Sequence, residues 1–167
     1  DYTFYGCSAL TSINLPESLV SIGEDAFYDC TSLEEIVIPE NVTEIGEYVF
    51  YNCASLTSLN IPDSVTSLGD SFAYYCSSLE AVTLPSTITE IPDSAFKNCY
   101  SLTEIEIPSS VTTIGNYAFK NCDNLKTIKY DGNYNDFCSI SFGYDVLLAG
   151  LDNNWITYTI ICKDGEY

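Results

Sequence analysis

The chain has no histidine, no arginine and no methionine, and only one tryptophan among its 167 residues. Each absence removes a class of function. Without histidine, neither a Ser-His nor a Cys-His nucleophile pair can be assembled within the chain. Zinc loses its imidazole ligand, and no C-x-x-C pair stands in for it. The only basic side chains are five lysines, Lys97, Lys120, Lys126, Lys129 and Lys163, against 24 acids, giving a net charge of −19. Residues 1–96 carry 15 acids and no base at all. Phosphate backbones are bound through Lys and Arg, so no nucleic acid partner is expected. An anionic membrane surface is excluded on the same ground. Direct membrane insertion is not expected either, because no run of about 18 apolar residues occurs. Glycine-rich phosphate cradles of the G-x-x-x-x-G-K or G-x-G-x-x-G type are missing. The acidity keeps the chain soluble and suits it to a basic partner or to cations.

What the chain does have is a repeat. Cys7, Cys30, Cys53, Cys76, Cys99 and Cys122 are each 23 residues apart. The column Leu10/Leu33/Leu56/Leu79/Leu102/Leu125 keeps the same period, and so does Ile13/Ile36/Leu59/Val82/Ile105/Ile128. Pro16, Pro39, Pro62, Pro85 and Pro108 follow in step. One such unit cannot bury its apolar side chains alone, whereas stacked coils can. The L-x-x-I-x-I stretch alternates with period two and reads as a short strand. The proline after it lacks an N–H and ends the pairing. Neighbouring coils then place six such strands in a parallel sheet about 30 Å wide, at a spacing of about 4.8 Å. The V-x-x-I-G segment returns along the other side, and x-x-A-F-x-x-C reads as one helical turn. In the third coil the Ala-Phe order is reversed to Phe72-Ala73, which predicts a local distortion. Pro92 replaces the column Gly23/Gly46/Gly69/Gly115, so those glycines are not needed for positive φ.

The pattern L-x-x-I-x-I-P-x-x-V-x-x-I-G-x-x-A-F-x-x-C resembles the 23-residue leucine-rich repeat of BspA-like bacterial surface proteins. The resemblance implies an α/β leucine-rich-repeat solenoid: a right-handed stack of coils, a parallel sheet on the concave face, short helical turns and a C-terminal cap. The repeats are expected over residues 1–130 and the capping segment over 131–167. The cap is read in "YDGNYNDFCSI" and in "WITYTIICKDG", with Phe137 and Asn133 standing where the family has Trp and Thr. The opening "DYTFYGC" aligns with the end of a repeat, so the chain starts mid-coil and is read as part of a longer array. The ladder column of ordinary leucine-rich repeats reads Ser18, Asn41, Ser64, Thr87 and Ser110, short side chains that can still bond backbone at a turn. Asn41 begins the sequon Asn41-Val42-Thr43, but a side chain occupied in the ladder is a poor glycosylation acceptor.

The six periodic cysteines are expected to be buried thiols acting as small hydrophobes, since a spacing near 4.8 Å between coils exceeds the Cβ separation of about 3.8 Å that a disulfide needs. Cys138 and Cys162 are off-period, and a bridge between them stays open. "DGNYND" at 131–136 begins like a calcium loop but lacks Gly at its sixth place and Glu at its twelfth, so a polar turn is expected. No metal and no cofactor is expected. Glu104 and Glu106, two apart on one strand, are separated by about 6.5–7 Å, near the spacing of an inverting glycosidase. A general acid needs a burial that an open sheet does not offer, so no catalytic residues are assigned. Partner-binding candidates are the exposed strand positions Glu35, Val37, Ser58, Asn60, Thr83, Glu104 and Glu106. The tyrosine column Tyr28, Tyr51 and Tyr74, which Lys97 and Lys120 continue, adds a lateral strip. The resemblance implies a non-catalytic, secreted or cell-surface bacterial binding domain, a monomer flanked by further domains, that adheres to host or extracellular-matrix proteins. The alternatives are a spacer in a larger surface protein and a carbohydrate-binding or carbohydrate-active solenoid.

Overall fold

A computed structural model describes residues 1–146 and 158–167. The period becomes geometry directly. The front strands are Ser12–Ile13, Glu35–Ile36, Ser58–Asn60, Ala81–Thr83, Glu104–Ile107 and Thr127–Tyr130. Their parallel register advances by one repeat: Ile13 faces Ile36, Leu59 faces Val82 and Ile105 faces Ile128, but the ladder is interrupted between Glu35–Ile36 and Ser58–Asn60 and between Ala81–Thr83 and Glu104–Ile107, so the single six-stranded sheet expected is divided into three pieces. Inward residues of these strands are buried and outward ones exposed, as in Glu104–Ile107. The V-x-x-I-G return is a strand as well. Ser21–Ile22 pairs with Glu44–Ile45, which pairs with Ser67–Leu68, and Glu90–Ile91 pairs with Thr113–Ile114. Both sheets continue past residue 130. Ser141–Phe142 adds to the rear ladder, Thr159–Cys162 pairs in parallel with Thr127–Tyr130, and Gly165–Glu166 folds back antiparallel. A short helix, Tyr134–Phe137, is capped by the Asn133 side chain, which accepts from the Asp136 N–H. Of the "WITYTIICKDG" segment, residues 155–157 lie outside the described residues.

The expected helical turn is replaced by something else. Two residues per turn, four apart, have positive φ: Tyr2 and Gly6, Asp25 and Asp29, Tyr48 and Asn52, Ser71 and Tyr75, Ser94 and Asn98, and Tyr117 and Asn121. A helix needs consecutive right-handed residues, so none forms here. The N–H groups fall into two sets. Those of Asp25, Phe27 and Asp29 donate forward to the carbonyls of Glu47, Val49 and Tyr51 in the next coil, while those of Tyr28 and Cys30 donate back to Asp25 and Phe27. The same division recurs at Tyr48, Phe50 and Asn52 and at Ser94, Phe96 and Asn98. The turn is therefore a third inter-coil ladder. The Phe72-Ala73 inversion leaves it in place, since Ala73 N–H still donates to Ala95 O and Ser71 keeps its positive φ. Only the rings respond. Phe4, Phe27 and Phe50 stack within 10° of parallel, whereas Phe72 meets Phe96 edge-on at 77°. The expected distortion of that turn is not found.

Each cysteine from Cys30 to Cys122 is buried, and each thiol donates to a carbonyl of the previous coil: Cys30 to Phe4, Cys53 to Phe27, Cys76 to Phe50, Cys99 to Ala73 and Cys122 to Phe96, at 3.0–3.3 Å. That polar use goes beyond the hydrophobe expected. Cys7 departs from its column and is exposed, because among the described residues no coil precedes it. Cys138 and Cys162 are both free thiols in the structure.

The column led by Gly23 and Gly46 has ordinary φ, as expected, but needs glycine for close approach. A Cβ on Gly69 would lie 2.3 Å from both Glu47 N and Gly46 C of the preceding coil. The N–H groups of Gly46, Gly69 and Gly115 donate to Ile22, Ile45 and Ile91. Pro92 supplies no such donor and does carry a Cβ. The rear ladder breaks at that point into two three-stranded pieces. The ladder column is occupied as expected: Asn41 Nδ2 donates to Glu17 O, and Ser64, Thr87 and Ser110 hydroxyls donate to Val42, Val65 and Ile88 carbonyls.

Two outcomes follow from this packing. Gly69→Ala should open the rear ladder as Pro92 does and lower stability by about 3 kcal/mol, read from urea unfolding. Burial raises the Cys76 and Cys122 thiols from the ordinary 9.0 to about 12. Their contribution to stability is complete below pH 9 and is lost as pH rises toward 12, because the unfolded chain ionises first. The urea midpoint should therefore fall above pH 9, by about 1.4 kcal/mol per pH unit for each such thiol. The combined Cys76→Ala and Cys122→Ala variant should show a shallower fall.

Candidate functional site

The front sheet holds its candidates where the alternation put them. Glu35, Val37, Ser58, Asn60, Thr83, Glu104 and Glu106 are all exposed. Val37, at 78% exposure, is the most open large apolar side chain of the described residues. Across the last strands Lys129 lies opposite Glu106 in register but reaches diagonally to Glu104, Nζ to Oε1 at 2.7 Å. The Glu104 hydrogen bond is the main cause raising the Lys129 pKa. The pair is exposed, so it sets side-chain direction more than stability. Glu104 is thus an ion-paired surface carboxylate.

Glu106 is placed differently. Together with Asp63, Thr83, Ser86 and Asp131 it borders a cleft of about 320 Å³ whose apolar floor includes Val82, Leu84 and Pro108. Asp63 accepts from the Ser86 N–H at 2.6 Å and from its hydroxyl at 2.9 Å, and these bonds hold its carboxyl below the usual range. Asp131 pairs with Lys163 at 2.6 Å. The "DGNYND" stretch is accordingly divided between an ion pair and a helix cap. The cleft offers carboxylates and hydroxyls to a partner.

The tyrosine strip lies on the turn segments rather than the front strands. Tyr5 stacks on Tyr28 at 4.8 Å, Tyr28 on Tyr51 at 4.4 Å, and Tyr51 meets Tyr74 edge-on at 5.0 Å. The lysines prolong it. Lys97 Nζ sits 4.9 Å from the Tyr74 ring centroid and 5.4 Å from that of Tyr117. Lys120 Nζ lies 4.9 Å over the Tyr117 ring and 2.6 Å from Asp145 Oδ2. Tyr5, Tyr117 and Asp145 were not singled out from the sequence. Tyr5 was within reach, standing two before Cys7 as Tyr28 stands two before Cys30.

The profile of the BspA type leucine rich repeat region matches residues 1–126, in six copies. The chain belongs to the BspA-type leucine-rich repeat family. Its BspA-type array is similar to the crystal structure of a leucine rich repeat protein of T. pallidum, at 32% identity and TM-score 0.79, over 88% of this chain and 66% of that one. It is also similar to a leucine rich cell surface protein of Faecalibacterium prausnitzii, at 27% identity and TM-score 0.61, over 80% of this chain and 51% of that one. The pneumococcal vaccine antigen PcpA shares the fold at 21% identity and TM-score 0.62, over 87% of this chain and 38% of that one. The BspA-type chain therefore spans less than two thirds of the length of each. A comparison with curated proteins finds no match.

The half-buried rings of the strip are engaged with one another, which makes the strip first a shield over the core. Removing Tyr51, which has a ring neighbour on each side, should cost about 2 kcal/mol. A Tyr28→Ala/Tyr51→Ala double-mutant cycle in urea should give a coupling of about 1 kcal/mol.

Proposed function

We propose that this chain is a non-catalytic protein-binding module of a bacterial surface or secreted protein, acting in adhesion to host or extracellular-matrix proteins through its front sheet. The observation that carries this reading is the front face itself: a regular row of exposed short and acidic side chains, from Ser12 to Glu106, on stacked strands in register. Such a row offers pre-organised hydrogen-bond acceptors at fixed spacing, and pre-organisation lowers the ordering cost of association. The acidic excess suits a basic partner surface and speeds encounter with it. The relative from Faecalibacterium prausnitzii is described as a cell surface protein, which supports the same placement for this one. Glu104, exposed and ion-paired to Lys129, lacks the burial a general acid needs.

The test is binding of the chain to immobilised fibronectin, fibrinogen, mucin and a glycan panel, at low salt and near physiological ionic strength, where the Debye length is about 8 Å. Saturable binding to one protein that persists at the higher salt, and that drops about tenfold in the combined Glu35→Gln/Glu104→Gln/Glu106→Gln variant, is expected. Binding to nothing would make the array a spacer. Oligosaccharide hydrolysis that Glu104→Gln abolishes would make it an enzyme.

A further inference from the structure

The turn segments hold a second feature, at the Tyr5 end of the strip. A pocket of about 390 Å³ is lined by Tyr2, Tyr5, Glu24, Asp25, Tyr28 and Tyr48. Tyr2 and Tyr5 are half exposed, at 54% and 51%, while Asp25 is only 9% exposed. The Asp25 Oδ1 atom is buried and has no hydrogen-bond partner among the described residues. Among the described residues no ion pair reaches Asp25, and the chain has no lysine or arginine before Lys97. A buried carboxylate oxygen left without a partner is costly, so such a group asks for a cation or a donor. Around this one stand tyrosine rings, whose faces attract cations.

The molecule itself shows what a carboxylate in this position takes. Tyr2 N–H donates to Glu24 O and Phe4 N–H to Ala26 O; Tyr117 N–H donates to Tyr144 O and Phe119 N–H to Val146 O. Asp25 therefore stands to Tyr2 as Asp145 stands to Tyr117, and both aspartates have φ of 54°. At the Asp145 end the arrangement is complete: the Lys120 ammonium bonds the carboxylate at 2.6 Å and lies 4.9 Å over the Tyr117 ring. Three residues after Tyr2, where Lys120 follows Tyr117, the chain has Tyr5. The carboxylate and the ring are repeated, and the ammonium is not.

We propose that the Asp25 pocket binds a lysine side chain presented by a partner protein, with the ammonium on Asp25 and its methylenes along the rings of Tyr2, Tyr5 and Tyr28. The site lies on the turns, so it does not depend on what the front sheet binds. Glu24 at the rim adds a second negative charge and, with the Asp25 carboxylate, favours an ammonium over a neutral ligand.

The experiment titrates the whole chain with Nα-acetyl-lysine N-methylamide in 0.15 M salt, following the tyrosine ring resonances by NMR. The norleucine analogue, the arginine analogue and tetramethylammonium are run in parallel. Saturable shifts of the Tyr2, Tyr5 and Tyr28 rings with the lysine probe are expected, with Kd in the range of about 1–10 mM for one ammonium. Asp25→Asn should weaken them about tenfold, and asparagine accepts the left-handed backbone, so the fold is kept. Glu35→Gln, on the front sheet, should leave them unchanged. Shifts equal for the norleucine analogue, or equal in Asp25→Asn, would overturn the proposal. Tighter binding of tetramethylammonium or of the arginine analogue would reassign the pocket to that cation and overturn lysine as its ligand.

Discussion

Everything in this molecule depends on one constraint: each coil must lie on its predecessor at the distance where peptide groups bond across the gap. Three ladders enforce it, the front strands, the rear strands and the turns. The turn ladder asks most of the chain, because it holds two non-helical residues per coil in the left-handed region, a conformation side chains other than glycine seldom take. Tyr48 and Tyr117 sit there although tyrosine has no liking for it. They stay because the N–H of each is then aimed at the next coil. Packing follows from the same distance. Glycine occurs where two backbones nearly touch, and cysteine where a small side chain must both fill space and reach a carbonyl.

Function sits in the residues that this constraint does not use. Outward positions of the front strands are free to vary, which is why they read as Ser, Asn, Glu, Thr and Lys beside inward Ile, Leu and Val. The turn positions are freer still, and there the surface changes character along the stack. One end carries tyrosines and unpaired acids, the other tyrosines and lysines bonded to acids. A uniform scaffold thereby presents a graded surface, with its cation-seeking end set apart from its self-neutralised end.

Much of this was legible before any coordinates. A strict period specifies stacking, and Leu33, Ile36 and Cys53 name the buried columns without further help. The outward glutamates and the tyrosine row were equally visible, because alternation and period fix which way a side chain points. The turn was not legible as drawn. Val49-Phe50 before Cys53 looks like a helical turn in composition, and only the row Asp29, Asn52, Asn98 and Asn121, residues that tolerate positive φ, hinted at the left-handed positions. The Asp25 pocket was hidden for a related reason: an aspartate in an acidic chain reads as solvated, and its burial comes from the rings of neighbouring coils. The Ser141–Phe142 and Thr159–Cys162 strands continue the sheets at irregular spacing, so no period announces them.

Pro92 carries a consequence for the array as a whole. A stacked-repeat protein behaves as a chain of units whose cohesion is a sum of contacts between nearest neighbours. The junction between the third and fourth coils has lost its rear rungs and is held by the turn rungs, such as Ser71 N–H to Asp93 O, by the paired front strands Ser58–Asn60 and Ala81–Thr83 and by the core, whereas the junctions on either side of it keep their rear rungs and lack front-strand pairing. Each of these three middle junctions is thus one strand pairing short, whereas the first and the last carry both. Cohesion is therefore greatest at the two ends of the array and lowest across its middle junctions.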